Sequence, residues 1–357
     1  EIMFLQALYS FSLALFEIPS GYIADIFGRK KSIVISTILS FSGYLLFCFY
    51  DSFQTFCIAE ILIGIGASMI SGSDSALLYD TLIETKSKKN YTKIEGRNYA
   101  IGNFSEATAA ILGGFLAVSS IYLPIYVQTI VLSLSIPISL SLVEPKINTK
   151  NKLERSFKTI IQIISYTIID NKKLKWLVIY SSAMGVATLS IAWFAQPFFK
   201  LINIPLVYFG ILWAVLNFSA GLTSFNAHLI YKKNNIYNTL IFLAISMSIL
   251  FIIIALQQTL LAILFILFIY LIRGVVTPIL RNEINLNTES RQRATVLSVR
   301  SFIIRISFAI FAPILGFLAD NFSLSISFLT IGILTGLFSI LSAYKLFKLN
   351  ENYKFTK

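Results

Sequence analysis

Gly21-Tyr22-Ile23-Ala24-Asp25-Ile26-Phe27-Gly28-Arg29-Lys30-Lys31 joins two long apolar runs. Its charge is lopsided, with one acid closing the first run and three cations opening the second. Gly21 permits the close approach of a neighbouring helix. Asp25 is placed to meet the positive N-terminus of another helix, or a neighbouring Arg. Gly28 supplies a tight turn, and Arg29, Lys30 and Lys31 anchor one membrane face. Composition says what the flanking runs are. The 357 residues are 56% hydrophobic and only 13% charged, with a mean hydropathy of +0.78. Soluble domains run near a quarter charged. A soluble enzyme, a disordered chain and a coiled coil are therefore excluded. Nucleic-acid binding is disfavoured as well, despite a net charge of +12.

A bilayer core takes about 20 apolar residues per helix. Eleven runs of that kind lie near 2–24, 32–50, 54–79, 98–118, 121–143, 176–199, 205–230, 237–256, 258–280, 295–319 and 323–345. Of the 29 Lys and Arg residues, 25 fall at alternate loops or in the C-terminal tail. The opposite loops hold only Lys200, and Arg273, Arg300 and Arg305 lie inside runs. Such a bias puts the basic loops and the C-terminus in the cytoplasm. It also accounts for the net charge without any nucleic acid. The longest break, 144–175, is basic and carries the apolar stretch 156–164, which predicts a cytoplasmic linker with an interfacial helix. Cys48 and Cys57 read as small buried hydrophobes. With His228 the only histidine, neither a metal site nor a cofactor is expected.

The full G-x-x-x-D-x-x-G-R-K-K pattern of Gly21 to Lys31, with Glu17-Ile18-Pro19-Ser20 before it, resembles the signature of the major facilitator superfamily between its second and third helices. The stretch Ser71 to Asp80 resembles a bacterial drug-efflux-type permease subgroup of that family. The resemblance spans essentially the whole chain and implies an all-α, polytopic membrane protein with the major facilitator fold. The first run then corresponds to the family's second helix, and the family's first helix is expected to be absent. Two helical bundles follow, with five and six visible transmembrane helices: an N-terminal bundle over 1–143, the linker over 144–175, a C-terminal bundle over 176–348, and a cytoplasmic tail over 349–357. An internal repeat agrees with duplicated halves. Gly114-Phe115-Leu116-Ala117 recurs as Gly316-Phe317-Leu318-Ala319, and Gly21 with Lys30-Lys31 matches Gly221 with Lys232-Lys233. Two family patterns are altered. Glu60 to Gly66 places an acid where R-x-x-x-G-x-G has its Arg, and Ala109 to Gly114 keeps the glycine pair of G-P-x-x-G-G but loses its Gly-Pro.

Charges inside spans are costly unless paired or hydrated, so each is a candidate for function. Glu106 lies about 13 Å beyond Arg97, near mid-membrane, where it could take a proton when a cavity faces one side. Against this stands a structural hydrogen bond to a neighbouring helix. Glu60 could carry protons in place of the missing Arg, or sit in an outer vestibule. Asp74 is the deepest of the acids that end the third span, while Asp80 and Glu84 read as a solvated ion-pair network. The resemblance brings the second and eleventh family helices together, so Asp25 or Glu17 is expected to pair with Arg300, and with Arg305, as an inner gate containing Gly21, Gly28, Arg29 and Lys30. Asn103, Gln128, Gln196, Asn217 and Arg273 are candidates for lining a substrate cavity.

The sequence has no G-x-x-x-x-G-K-[ST] loop, so ATP is not the expected fuel. The leading expectation is a secondary active transporter working by alternating access, with proton-coupled export of a small lipophilic or cationic compound. One alternative is a proton symporter importing a small metabolite or siderophore, with Arg273 or Arg305 on an anionic group. Another is a non-transporting membrane sensor or assembly protein. An enzyme is not expected, because the outer loops are short and the linker lacks His and Cys. The expected partners are a small-molecule substrate, protons and the lipid bilayer. The expected setting is a monomer in the bacterial inner membrane.

Overall fold

A computed structural model describes residues 1–71, 73–87, 91–145, 165–233, 236–288 and 293–355. These form α1 (Ile2–Phe27), α2 (Arg29–Phe49), α3 (Phe53–Ile70), α4 (Ser73–Glu84), α5 (Tyr91–Ser119), α6 (Leu123–Ser141), a π-helical turn (Tyr166–Asp170), α7 (Lys172–Leu201), α8 (Val207–Lys233), α9 (Ile236–Leu256), α10 (Ala262–Leu286), α11 (Arg293–Asn321) and α12 (Leu324–Phe355). No strand occurs among the described residues. Nine of the described helices are long and apolar enough to cross a membrane: α2, α3 and α6 to α12. Further apolar segments, Ile2–Glu17 and Phe104–Ser119, lie in α1 and α5. The protein is thus an all-α polytopic membrane protein. The expected interfacial helix over 156–164 lies outside the described residues.

One expected span is broken. The run 54–79 divides into α3 and α4, because Ser71 leaves helical geometry with ψ at 115°. A break frees carbonyl groups that need donors. Ser32 and Ser73 both supply hydroxyl protons to the Met69 carbonyl, at 2.7 and 2.9 Å. Asp74, Asp80 and Glu84 therefore ride on a separate helix and not on the inner end of one long span.

The chain forms two compact units, Glu1–Arg155 with Leu206–Ile211, and Ser156–Pro205 with Leu212–Lys357. In the first, α3 packs on α1 and α2, and α2 packs on α6. Glycine makes this possible, since helices in lipid associate through close backbone packing and not through water exclusion. A Cβ on Gly64 would lie 2.7 Å from the Tyr9 carbonyl oxygen of α1, and one on Gly43 would lie 2.9 Å from the Ala59 oxygen of α3. In the second unit α7 is central, contacting α10, α11 and α12. Its start is fixed by Asn171, whose Oδ1 accepts from the Lys173 and Leu174 amides at 3.1 and 3.0 Å. Large side chains fill that unit. Phe328 of α12 meets the rings of Phe194, Phe198 and Phe251 at centroid distances of 5.8, 5.7 and 6.2 Å.

Candidate functional site: a membrane carboxyl and a clamped helix corner

The Gly64 approach brings α1 and α3 together one turn from Glu60. There Gln6 Nε2 donates to Glu60 Oε1 at 3.1 Å. Gln6 is buried and Glu60 half-buried. Gly43, on the opposite flank of α3, lets α2 close on Ala59 beside it. Glu60 therefore sits where both neighbours of α3 come nearest. Its named partner is an uncharged amide. An amide N–H can donate to the carbonyl oxygen of a carboxylic acid as well as, more strongly, to a carboxylate, so the contact survives proton uptake in a weaker form.

The second cluster is built at the Gly28 corner. Gly28 has φ at +102°, in the region that favours glycine. The turn aims the first amides of α2 outward, and a helix N-terminus carries unsatisfied N–H groups with partial positive charge. Glu144, just past the end of α6, accepts from both. The Arg29 amide donates to its Oε1 at 2.9 Å and the Lys30 amide to its Oε2 at 2.6 Å. A Cβ on Gly28 would crowd the same carboxylate at 3.1 Å. From the same residue the Arg29 side chain reaches α4, where its Nη1 pairs with Asp80 and donates to the Ala76 carbonyl. The two side chains of that pair are 13% and 12% exposed. The corner thus ties α2 to α4 and to the α6 terminus.

In the second unit, Arg300 Nε of α11 donates to Ser181 Oγ of α7 at 2.9 Å. Arg273 of α10 stands over the Tyr270 ring, with its guanidinium carbon 5.4 Å from the centroid. Trp213 of α8 packs edge-on to the same ring at 6.3 Å. Asn217 turns back on its own helix, donating to the Trp213 carbonyl at 3.0 Å. Arg305 is half-buried on α11 and Gln196 exposed on α7.

The remaining candidates are scattered. Glu106 is exposed on α5, beside a shallow groove lined by Phe104, Ser105, Thr108 and Leu112. Asp74 is exposed in the first turn of α4, Gln128 is half-buried on α6, and Glu17 is half-buried on α1. The side chains of Gly21, Asp25 and Asn103 lie outside the described residues. The site residues that sequence reasoning missed are partners: Gln6 for Glu60, Glu144 for the α2 start, Ser181 for Arg300 and Tyr270 for Arg273. Only Tyr270 left a local signal, since it lies three residues before Arg273 on one helix face.

A family model described as Major Facilitator Superfamily matches residues 1–285. The chain belongs to the Major Facilitator Superfamily. A curated relative from this superfamily, the "Uncharacterized MFS-type transporter YxaM" of Bacillus subtilis (strain 168), is 29% identical over 226 residues. That match takes in 62% of this chain and 55% of the relative, so the chain spans about half the length of the curated relative it matches. Among solved structures, a mutant of the nucleoside transporter NupG aligns with a TM-score of 0.79 at 13% identity, over 98% of this chain and 91% of that one. A D-xylose-proton symporter aligns with a TM-score of 0.74 at 14% identity, over 95% and 86%. At such identities the neighbours show the major facilitator fold alone. Each of these relatives is named a transporter or symporter, and none an enzyme.

Proposed function

We propose that the protein is a secondary active transporter, working by alternating access, that exports a small lipophilic or cationic compound in exchange for protons. One observation carries the proton coupling: Glu60 is a half-buried carboxyl in a membrane-crossing helix, held by the uncharged amide of Gln6. A carboxyl at that position is costly to keep without a use, and its amide partner tolerates both protonation states. That one structural neighbour is named a proton symporter supports coupling of this kind in this fold. Export follows from the sequence resemblance of Ser71 to Asp80 and from the acids Glu60, Asp74 and Glu106, which suit a cationic cargo. The Gly28 corner serves as the fixed end of the first unit, with Glu17 and Asp25 of α1 and Arg300 and Arg305 of α11 as gate residues.

The test is accumulation of fluorescent cationic dyes in cells expressing the protein. Expression should lower dye levels, and a protonophore should restore them. Glu60→Gln, which keeps the size and the hydrogen bond but cannot take up a proton, should restore them as fully. Asp74→Asn and Glu106→Gln, made alongside, identify which acid is required. Dye levels that ignore expression of the protein would remove the export reading.

A second reading is favoured by the Arg273 cation above Tyr270, with Trp213 on the ring edge. A cation flanked by aromatic surface suits an aromatic anion. Import of such a metabolite or siderophore would be abolished by Arg273→Gln and left intact by Arg273→Lys only if point charge suffices.

A further inference from the structure

A cavity of about 180 Å³ lies inside the second unit, between α7, α11 and α12. Its walls include Ala183, Val186, Phe311 and Phe338, with Ser182, Ser307 and Thr335 as the polar side chains. Ser182 sits about 15 Å along α7 from Lys172, half the depth of a ~30 Å hydrocarbon core. The cavity therefore lies at the depth of the membrane interior, where apolar solutes concentrate. Its edges are firm. A Cβ on Gly185, one turn from Ser182, would lie 2.6 Å from Ile304, so α7 and α11 are already in tight contact beside it. Ser182 donates its hydroxyl proton to Ser307 Oγ at 2.8 Å, closing the same seam. Ser307, the acceptor there, keeps its own proton to donate.

We propose that this cavity is a binding site for a small membrane-partitioned aromatic alcohol of the phenol class. Size sets the scale of the guest. An apolar cavity of about 150 Å³ takes a benzene ring, so this one takes a ring with one or two further heavy atoms. Chemistry selects the substituent. Three hydroxyl-bearing side chains on an otherwise apolar wall favour a guest with one group that both donates and accepts. Two lining residues, Phe311 and the more exposed Phe338, offer ring faces and edges to the aromatic part. An acyl tail would fill the volume and leave the hydroxyls without a guest partner. The site lies within one unit and has neither Glu60 nor Arg273 among its lining residues, so it does not depend on the direction or fuel of transport.

Binding of 4-fluorophenol to the full chain in lipid nanodiscs, followed by fluorine NMR, tests this. The expected result is a saturable change in the fluorine signal that nanodiscs without protein do not give. Ala183→Phe, which fills the cavity, should abolish it. Ser307→Ala should weaken binding about fivefold, the equivalent of one hydrogen bond of about 1 kcal/mol. 4-Fluorotoluene, which has the ring without the hydroxyl, should bind wild type weaker by the same factor. A signal that never saturates, or that survives Ala183→Phe in a folded variant, overturns the site. Equal affinity for the two probes overturns the phenol class, as does displacement by decane with no preference for the hydroxyl. If Ala183→Phe does not fold, the ratio of the two probes in wild type and in Thr335→Val and Ser307→Ala decides, because loss of that ratio requires the hydroxyl wall to touch the guest.

Discussion

Helices α3 and α5 both carry glycines, and Gly64 and Gly66 of α3 do the opposite of Gly102 and Gly113 of α5. On α3, Gly64 lies under the Tyr9 backbone, and a Cβ on Gly66 would be 2.7 Å from Ser40 Oγ and 3.0 Å from the Ser36 carbonyl. On α5, a Cβ on Gly102 or Gly113 would meet nothing within 4 Å. The first pair is a backbone contact surface that admits no side chain. Gly102 and Gly113 face open space on a helix that leaves Phe104, Glu106 and Leu112 exposed, whereas a Cβ on Gly114 beside them would lie 3.2 Å from the Gly210 amide of α8. Glycine in a membrane helix is thus evidence of close packing only where a neighbouring backbone fills the space of the missing Cβ. The carboxyl proposed to carry protons, Glu60, belongs to the packed helix, where two neighbours fix its position.

Substitutions bracket this contrast. Gly64→Val should have the largest effect, since the backbone of α1 cannot yield as a side chain would. Overpacking of a filled core costs about 1–3 kcal/mol and more at rigid contacts, so the variant should lose its monodisperse peak in size-exclusion chromatography. A normal peak would break the comparison. Next comes Arg29→Gln, which leaves Asp80 largely buried without that cation. Losing one partner of such a pair costs about 3 kcal/mol. The melting temperature should fall clearly, and the double variant Arg29→Gln with Asp80→Asn should recover part of it. Glu144→Gln should cost less, about 1 kcal/mol, as expected for weakening one helix cap; a loss equal to that of Arg29→Gln would make the cap the stronger tie. Smallest of all is Gly113→Ala. With free space and helical backbone it should gain up to about 1 kcal/mol, and any loss of stability would place a contact at Gly113 where none is described.

The sequence carries the helices plainly and the contacts hardly at all. Length and apolarity mark the nine described helices that can cross, while α1 and α5 carry only shorter apolar segments than the eleven expected runs. The break at Ser71 hides in a run that stays apolar on average, since two serines on different helices satisfy Met69 without any charge or proline to announce it. Glu60 and Arg300 stand out as charges in apolar runs. Their partners Gln6 and Ser181 are ordinary polar residues on other helices, and nothing local distinguishes them from their neighbours. The Gly28 turn was legible in the G-R-K-K pattern, whereas Glu144 was not, because its role comes from where α6 ends.

The cap on α2 also orders events in time. Its donors, the Arg29 and Lys30 amides, are made more than a hundred residues before the Glu144 carboxylate that receives them. At ordinary rates of synthesis that interval is on the order of ten seconds. Throughout it, α2 to α5 must be threaded into the bilayer with the start of α2 satisfied by water alone. The corner closes only when α6 has been delivered, so the emergence of Glu144 marks the moment at which the start of α2 can lock.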